Sequence, residues 1–200
     1  MGSTAAARAR AVLEAKGVAR SRDLEGAGIS RAQIRRLAQQ GIIVRVARGL
    51  YRDPNAPLTE RADLAEAARL VPGGIVCLLS ALRFHGLTTQ NPFEVWLAID
   101  RKAWRPHVEH PPVRFVYLSG TALTSGIEEH EVEGVTLRVY GAAKTVADCF
   151  KFRNKIGVDV AVEALRSYRA THARGLEAVW RFAQIDRVAR VIAPYLHAIT

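Results

Sequence analysis

The sequence predicts an α+β protein with a small helical head closed by a β-hairpin over residues 1–53, a linker at 54–58, and a larger mixed α/β part over 59–200 ending in a helical tail. Three observations carry that expectation. Serines and glycines punctuate short helical segments before Ile42. A β-branched run then meets an Arg48-Gly49 turn. Beyond the linker, strand-like segments come before a long helical stretch. An apolar content of 49% with 24% charged residues suits a folded core.

The spacing predicts a first helix over Ala5–Lys16, stopped by Gly17. Ser21 caps a short second helix over 22–27, and Gly28-Ile29 makes a tight turn. Ser30 caps a third helix over 31–40, which Gly41 ends. Two short helices joined by a glycine-containing turn have the spacing of a helix-turn-helix. The run at 42–46, the Arg48-Gly49 turn and Leu50–Arg52 add a hairpin, which makes the head the winged variant. After the Asp53-Pro54-Asn55-Ala56-Pro57 breaker, Thr59 caps a helix to Leu70, and Pro72-Gly73-Gly74 interrupts the chain. A buried helix is expected over 75–84, ended by His85-Gly86. Strands are expected over 93–99 and Val113–Leu118. Ile127–Val132 and Val135–Tyr140 flank Glu133-Gly134, a hairpin signal. Helices over 142–152, 158–172, 176–184 and 187–199 complete the tail. No stretch approaches the ~20 apolar residues of a membrane span, and the N-terminus has no apolar leader. Cys77 and Cys149 lie in apolar segments and are expected as reduced, buried thiols in a cytoplasmic protein.

The charge is unevenly spread. Of 29 basic and 19 acidic residues, residues 1–52 hold eleven and three, so +8 of the net +10 lies in the head. A compact cationic module calls for an anionic partner. In the third helix Ile34, Leu37 and Ala38 share the side that packs on the other helices, while Arg35 and Gln39 point away, flanked by Arg31 and Arg36. Arginine forks onto guanine and glutamine onto adenine, so Arg31 and Arg35, with Gln33 and Gln39, are candidates for reading bases. Ser30, at the positive end of the helix, is placed to offer its N–H to a phosphate. Arg45, Arg48 and Arg52 gather near the hairpin, and Arg20 and Arg22 flank the second helix, completing a DNA-binding set. Tyr51 is expected to pack on the core rather than touch DNA. Double-stranded DNA is therefore the expected partner. Membrane binding is not expected, because the apolar face of the first helix is mostly alanine.

Other chemistries find less support. Asp100-Arg101-Lys102 at a strand end mimics half of a metal-dependent nuclease site, but Glu94 and Glu109 offer no clear second carboxylate. Asp100 is read instead as a turn residue. His107 and His110 have ligand-like spacing, yet Pro111 and Pro112 follow and no thiolate lies nearby. Leu118-Ser119-Gly120 is no nucleophile elbow. No metal, cofactor or catalytic residue is expected.

The segment V-A-R-S-R-D-L-E-G-A-G-I-S-R-A-Q-I-R-R-L from Val18 and the ending I-V-R-V-A-R-G-L-Y-R resemble the N-terminal domain of AbiEi-type antitoxins of the type IV abortive-infection systems. Ser80-Ala81-Leu82-Arg83-Phe84-His85-Gly86-Leu87-Thr88 resembles that family's S-A-L-x-x-H-G-L-T segment, and Gly141 to Asp148 its T-x-x-D stretch. The resemblance implies a repressor of its own operon that binds promoter repeats through the winged domain. It implies that the C-terminal domain counters a nucleotidyltransferase-like toxin without a stable complex, in a chain that is a monomer or weak dimer.

Overall fold

The computed structural model describes residues 4–55, 61–172 and 175–199. The chain is mixed α and β, and it divides into two compact units. The first comprises Met1–Leu70 with Val108–Pro111 and His130–Leu137. The second comprises Val71–His107, Pro112–Glu129 and Arg138–Thr200. The first unit thus runs past the expected boundary at residue 53, to Leu70.

In the first unit the elements run α1 (Ala5–Lys16), β1 (Val18–Arg20), α2 (Ser21–Gly26), α3 (Arg31–Gln39), β2 (Val44–Ala47), β3 (Leu50–Arg52) and α4 (Ala62–Leu70). Thr4 caps α1, its hydroxyl accepting from the Ala7 N–H at 3.2 Å. The expected helix at 22–27 starts one residue earlier, because Asp23, rather than Ser21, accepts the Arg20 N–H at 2.7 Å. Strand β1 was not foreseen; it joins β3 and β2 in an antiparallel sheet of order β1-β3-β2. The run expected as a strand over 42–46 begins only at Val44. Gly41 takes φ +69°, and the N–H groups of Gly41 and Ile42 donate back to Ala38 and Leu37 at 3.1 and 3.0 Å. That double bond closes α3 in a left-handed cap and turns Ile43 into the core. Ala9, Leu13, Ala19, Leu24, Ile29, Ile34, Leu37 and Ile43 form that core. The expected linker at 54–58 and the helix start at Thr59 fall largely outside the described residues.

Asp23 ties this unit together. It accepts Lys16 Nζ and the Arg20 N–H, each at 2.7 Å, and lies 3.9 Å from Arg69. Arg69 in turn donates to the carbonyls of Lys16 and Gly134 at 3.0 and 3.1 Å. Burial raises the Asp23 pKa, but Lys16, the Arg20 N–H and Arg69 together outweigh it and hold the carboxyl below its ordinary 3.8. A depressed acid contributes stability that is present above the unfolded value and lost as pH falls through the folded one. Asp23→Asn is therefore expected to cost about 1 kcal/mol near neutral pH, and less as the pH drops below 3.8. Urea midpoints at neutral and acid pH read both effects; an equal loss at both would remove the electrostatic account.

The second unit contains β4 (Ile75–Val76), α5 (Leu78–Phe84), β5 (Val95–Asp100), β6 (Val113–Leu118), α6 (Thr121–Thr124), β7 (Ile127–Val132), β8 (Val135–Tyr140), α7 (Ala142–Lys151), α8 (Arg153–Ile156), α9 (Val158–Thr171), α10 (Leu176–Ile185) and α11 (Ala189–Ile199). The tip of the β7–β8 hairpin groups with the first unit. The segment expected as one helix over 75–84 is instead a strand followed by a helix. Ile75 and Val76 pair antiparallel with β5, Val76 also pairs parallel with β8, and the chain turns helical only at Leu78. The five-stranded sheet has the order β6-β5-β4-β8-β7. Val95 to Ile99 are all buried, which explains the unbroken apolar run of β5. Glu133 and Gly134 both take positive φ, +51° and +64°, as a two-residue hairpin turn requires. Helices α5, α7, α9, α10 and α11 supply the rest of the core, with Cys77 and Cys149 buried and free.

At the centre of that core lie three charged side chains. Lys144 Nζ bonds the Asp148 carboxylate and lies 3.2 Å from Asp186 Oδ2, and all three residues are buried. Lys151 reaches Asp186 from the partly exposed side at 3.5 Å.

Candidate nucleic-acid interface

Helix α3 is built to present one polar side. Ser30 and Gln33 form a reciprocal cap: the Gln33 N–H donates to Ser30 Oγ at 3.3 Å, and the Ser30 N–H donates to Gln33 Oε1 at 2.9 Å. Ile34 and Leu37 point into the core, leaving Arg31, Arg35, Arg36 and Gln39 exposed. On the other side of a groove stands the β2–β3 hairpin, whose turn uses Gly49 at φ +73°. The groove holds about 610 Å³ and is lined by Arg31, Arg35 and Gln39 from α3, Arg45, Arg48 and Tyr51 from the hairpin, and Ser21. Among the described residues that line it there is no carboxylate, although Glu25 pairs with Arg31. Four guanidinium groups facing one concavity form a local positive field that suits a polyanion.

The remaining expected residues divide. Arg22 and Arg36 are exposed but do not line the groove. Arg31 lines it, yet its Nε lies 2.5 Å from Glu25 Oε1. Arg20 is turned away, its guanidinium donating to the Arg69 carbonyl. Gln33 is held by the cap and Arg52 is half-buried on β3, so neither lies in the groove. Ser30 is exposed, with its N–H already donated to Gln33. Outside the set, Arg8 donates to the Gly28 carbonyl at 3.2 Å and Lys16 to Asp23. Four of the head's eleven cations, Arg31, Arg35, Arg45 and Arg48, thus line the groove, and the others lie outside it. Tyr51 packs against the core and also lines the groove.

Residues 8–52 match the model of a family described as "Transcriptional regulator, AbiEi antitoxin". The head is AbiEi-like. The match runs from within α1 to the end of β3 and includes every residue of the groove named above. No curated protein matches the chain. The matched family is described as one of regulators and antitoxins, and the match spans less than a quarter of the chain.

Elsewhere, Asp100 accepts the Lys102 N–H at 2.7 Å, closing the turn after β5. Among the described residues, no group of three or more His, Cys, Asp or Glu is placed to hold a metal ion. No helix among them is long and apolar enough to cross a membrane.

Proposed function

We infer that the AbiEi-like head is a winged helix-turn-helix that binds duplex DNA, and that the chain is a repressor of its own toxin–antitoxin operon. The observation that carries this is the groove between α3 and the β2–β3 hairpin, lined by Arg31, Arg35, Arg45 and Arg48 without an acid. In this reading α3 enters the major groove, where Arg35 and Gln39 reach base edges. Arg31 joins them after releasing Glu25. The hairpin is the wing, and Arg45 and Arg48 follow the phosphate backbone or the narrow minor groove beside it. Palindromic or paired promoter repeats suit a monomer or weak dimer acting cooperatively.

The second unit, in the same reading, carries the antitoxin activity against a nucleotidyltransferase-like toxin in the cytoplasm, without a lasting complex. Rescue of toxin-arrested cells by a chain carrying Arg35→Ala and Arg48→Ala would separate that activity from DNA binding. Loss of rescue by a folded variant would reject their independence.

The DNA reading is tested by the salt dependence of binding to the chain's own upstream region. Log affinity falls with log salt by about 0.9 per neutralised phosphate. Phosphate contacts from Arg45 and Arg48 alone would give a slope of about −1.8. Arg48→Ala is expected to flatten the slope by about one such step. A slope near zero, or one unchanged by Arg48→Ala, would refute the docking.

A further inference from the structure

The second unit carries a separate cationic and aromatic surface at the free edge of its sheet. Strand β6 is an edge strand, parallel to β5. Its residues alternate: Val116 and Leu118 face the core, while Phe115 and Tyr117 face outward, Tyr117 being 41% exposed. The β5–β6 connection bears Arg101, Lys102, Trp104 and Arg105, all exposed, with Trp104 at 90%. Its first turn is ordered: Arg101 N–H donates to Leu118 O at 2.9 Å, Lys102 N–H to Asp100 Oδ1 at 2.7 Å, and Ala103 N–H to Asp100 O at 2.9 Å. Arg105 then stacks over the Phe115 ring at 5.8 Å, beside a groove of about 320 Å³ that Tyr117 also lines. Glu94 and Arg114 line the same groove and pair with each other at 2.5 Å, which offsets the Glu94 charge.

Trp104 lies within three residues of Arg101, Lys102 and Arg105 in the same exposed connection. Cations that hold a phosphate backbone, interleaved with ring faces on which unpaired bases stack, describe the needs of a single strand. Duplex nucleic acid hides its base faces, whereas RNA loops and ends display them to aromatic rings and guanidinium planes. We propose that Trp104, Arg105, Phe115 and Tyr117, with Arg101 and Lys102, form a docking surface for single-stranded RNA. None of these residues is among those lining the groove of the head.

The test uses the full chain and a fluorescein-labelled oligouridylate of roughly twelve nucleotides, read by anisotropy at about 0.1 M salt. Binding is expected, with tryptophan quenching, and Trp104→Ala or Tyr117→Ala should each weaken it at least about fivefold. Trp104 and Tyr117 project outward, so a denaturation curve should show both variants folded. Arg35→Ala combined with Arg48→Ala should leave oligomer affinity unchanged, which separates this surface from the head. Four results would each overturn the proposal. These are no binding, parent-like affinity of both aromatic variants, displacement by unlabelled duplex DNA, and equal displacement by polyglutamate of matched charge. The last would mean that charge alone is read. Tighter binding of an oligodeoxythymidylate of the same length would overturn RNA as the occupant.

Discussion

Lys144→Met is expected to destabilise the second unit by about 3–5 kcal/mol, the cost of breaking a buried ion pair from one side. Methionine fills much of the same space, so the loss would be electrostatic rather than a cavity effect. It would leave Asp148 and Asp186 facing each other in the core, with only the partly exposed Lys151 near Asp186. The pressure is already visible in the intact protein. Burial pushes the Asp148 carboxyl well above its ordinary value, Lys144 pulls it back down, and Asp186 pushes it up again. Among the described residues Asp148 Oδ2 has no hydrogen-bond donor, so the loss of Lys144 would leave this carboxyl still less compensated. Replacing all three residues together, as Lys144→Met with Asp148→Asn and Asp186→Asn, should recover much of the stability, because no uncompensated charge then stays buried. Chemical denaturation reads both variants. A single-variant loss under about 1 kcal/mol would show that the triad is not an electrostatic keystone.

Arg35→Ala is expected to weaken binding to the cognate DNA site by about 1–3 kcal/mol and to relax base preference at one position, the signature of a lost fork onto a base edge. Arg48→Ala should weaken specific and nonspecific DNA alike, because a hairpin arginine on the backbone reads no sequence. Arg31→Ala should cost less than Arg35→Ala, since Arg31 must first give up Glu25 at 2.5 Å. Competition binding against cognate and scrambled duplexes separates the three. If Arg35→Ala and Arg48→Ala lowered both affinities by the same factor, α3 would not be the reading helix.

The legible parts of the chain are those specified by short-range chemistry. Ser30 announced the start of α3, and Gly41 its end, because a cap is a local hydrogen-bond problem. The Glu133-Gly134 turn and the strand on either side of it were equally plain. What escaped was set by distant partners. Strand β1 is three residues long and β4 two, too short for any period, and each exists because another strand lies beside it. Arg20 looked like its neighbours in sequence, yet its acceptor is the carbonyl of Arg69, 49 residues away. Gln33 was read as a base reader, whereas in the structure it is held in the cap of α3 by the Ser30 N–H. Asp148 was visible as part of the T-x-x-D stretch, but its pairing with Lys144 went unread, and Asp186, 42 residues beyond Lys144, had no signal that would join it to them. The groove itself was partly legible: alternation on α3 marked Arg31, Arg35 and Gln39, and the turn at Gly49 marked Arg45 and Arg48.

Nuclease protection of the DNA upstream of this chain's own coding sequence puts the account at most direct risk. The parent protein should cover a discrete site, or a pair of repeats, at moderate salt, and the Arg35→Ala, Arg48→Ala double variant, still folded, should leave the same bases open. Full protection by the double variant, or bare DNA with the parent, would contradict the assignment of the four-arginine groove to duplex DNA.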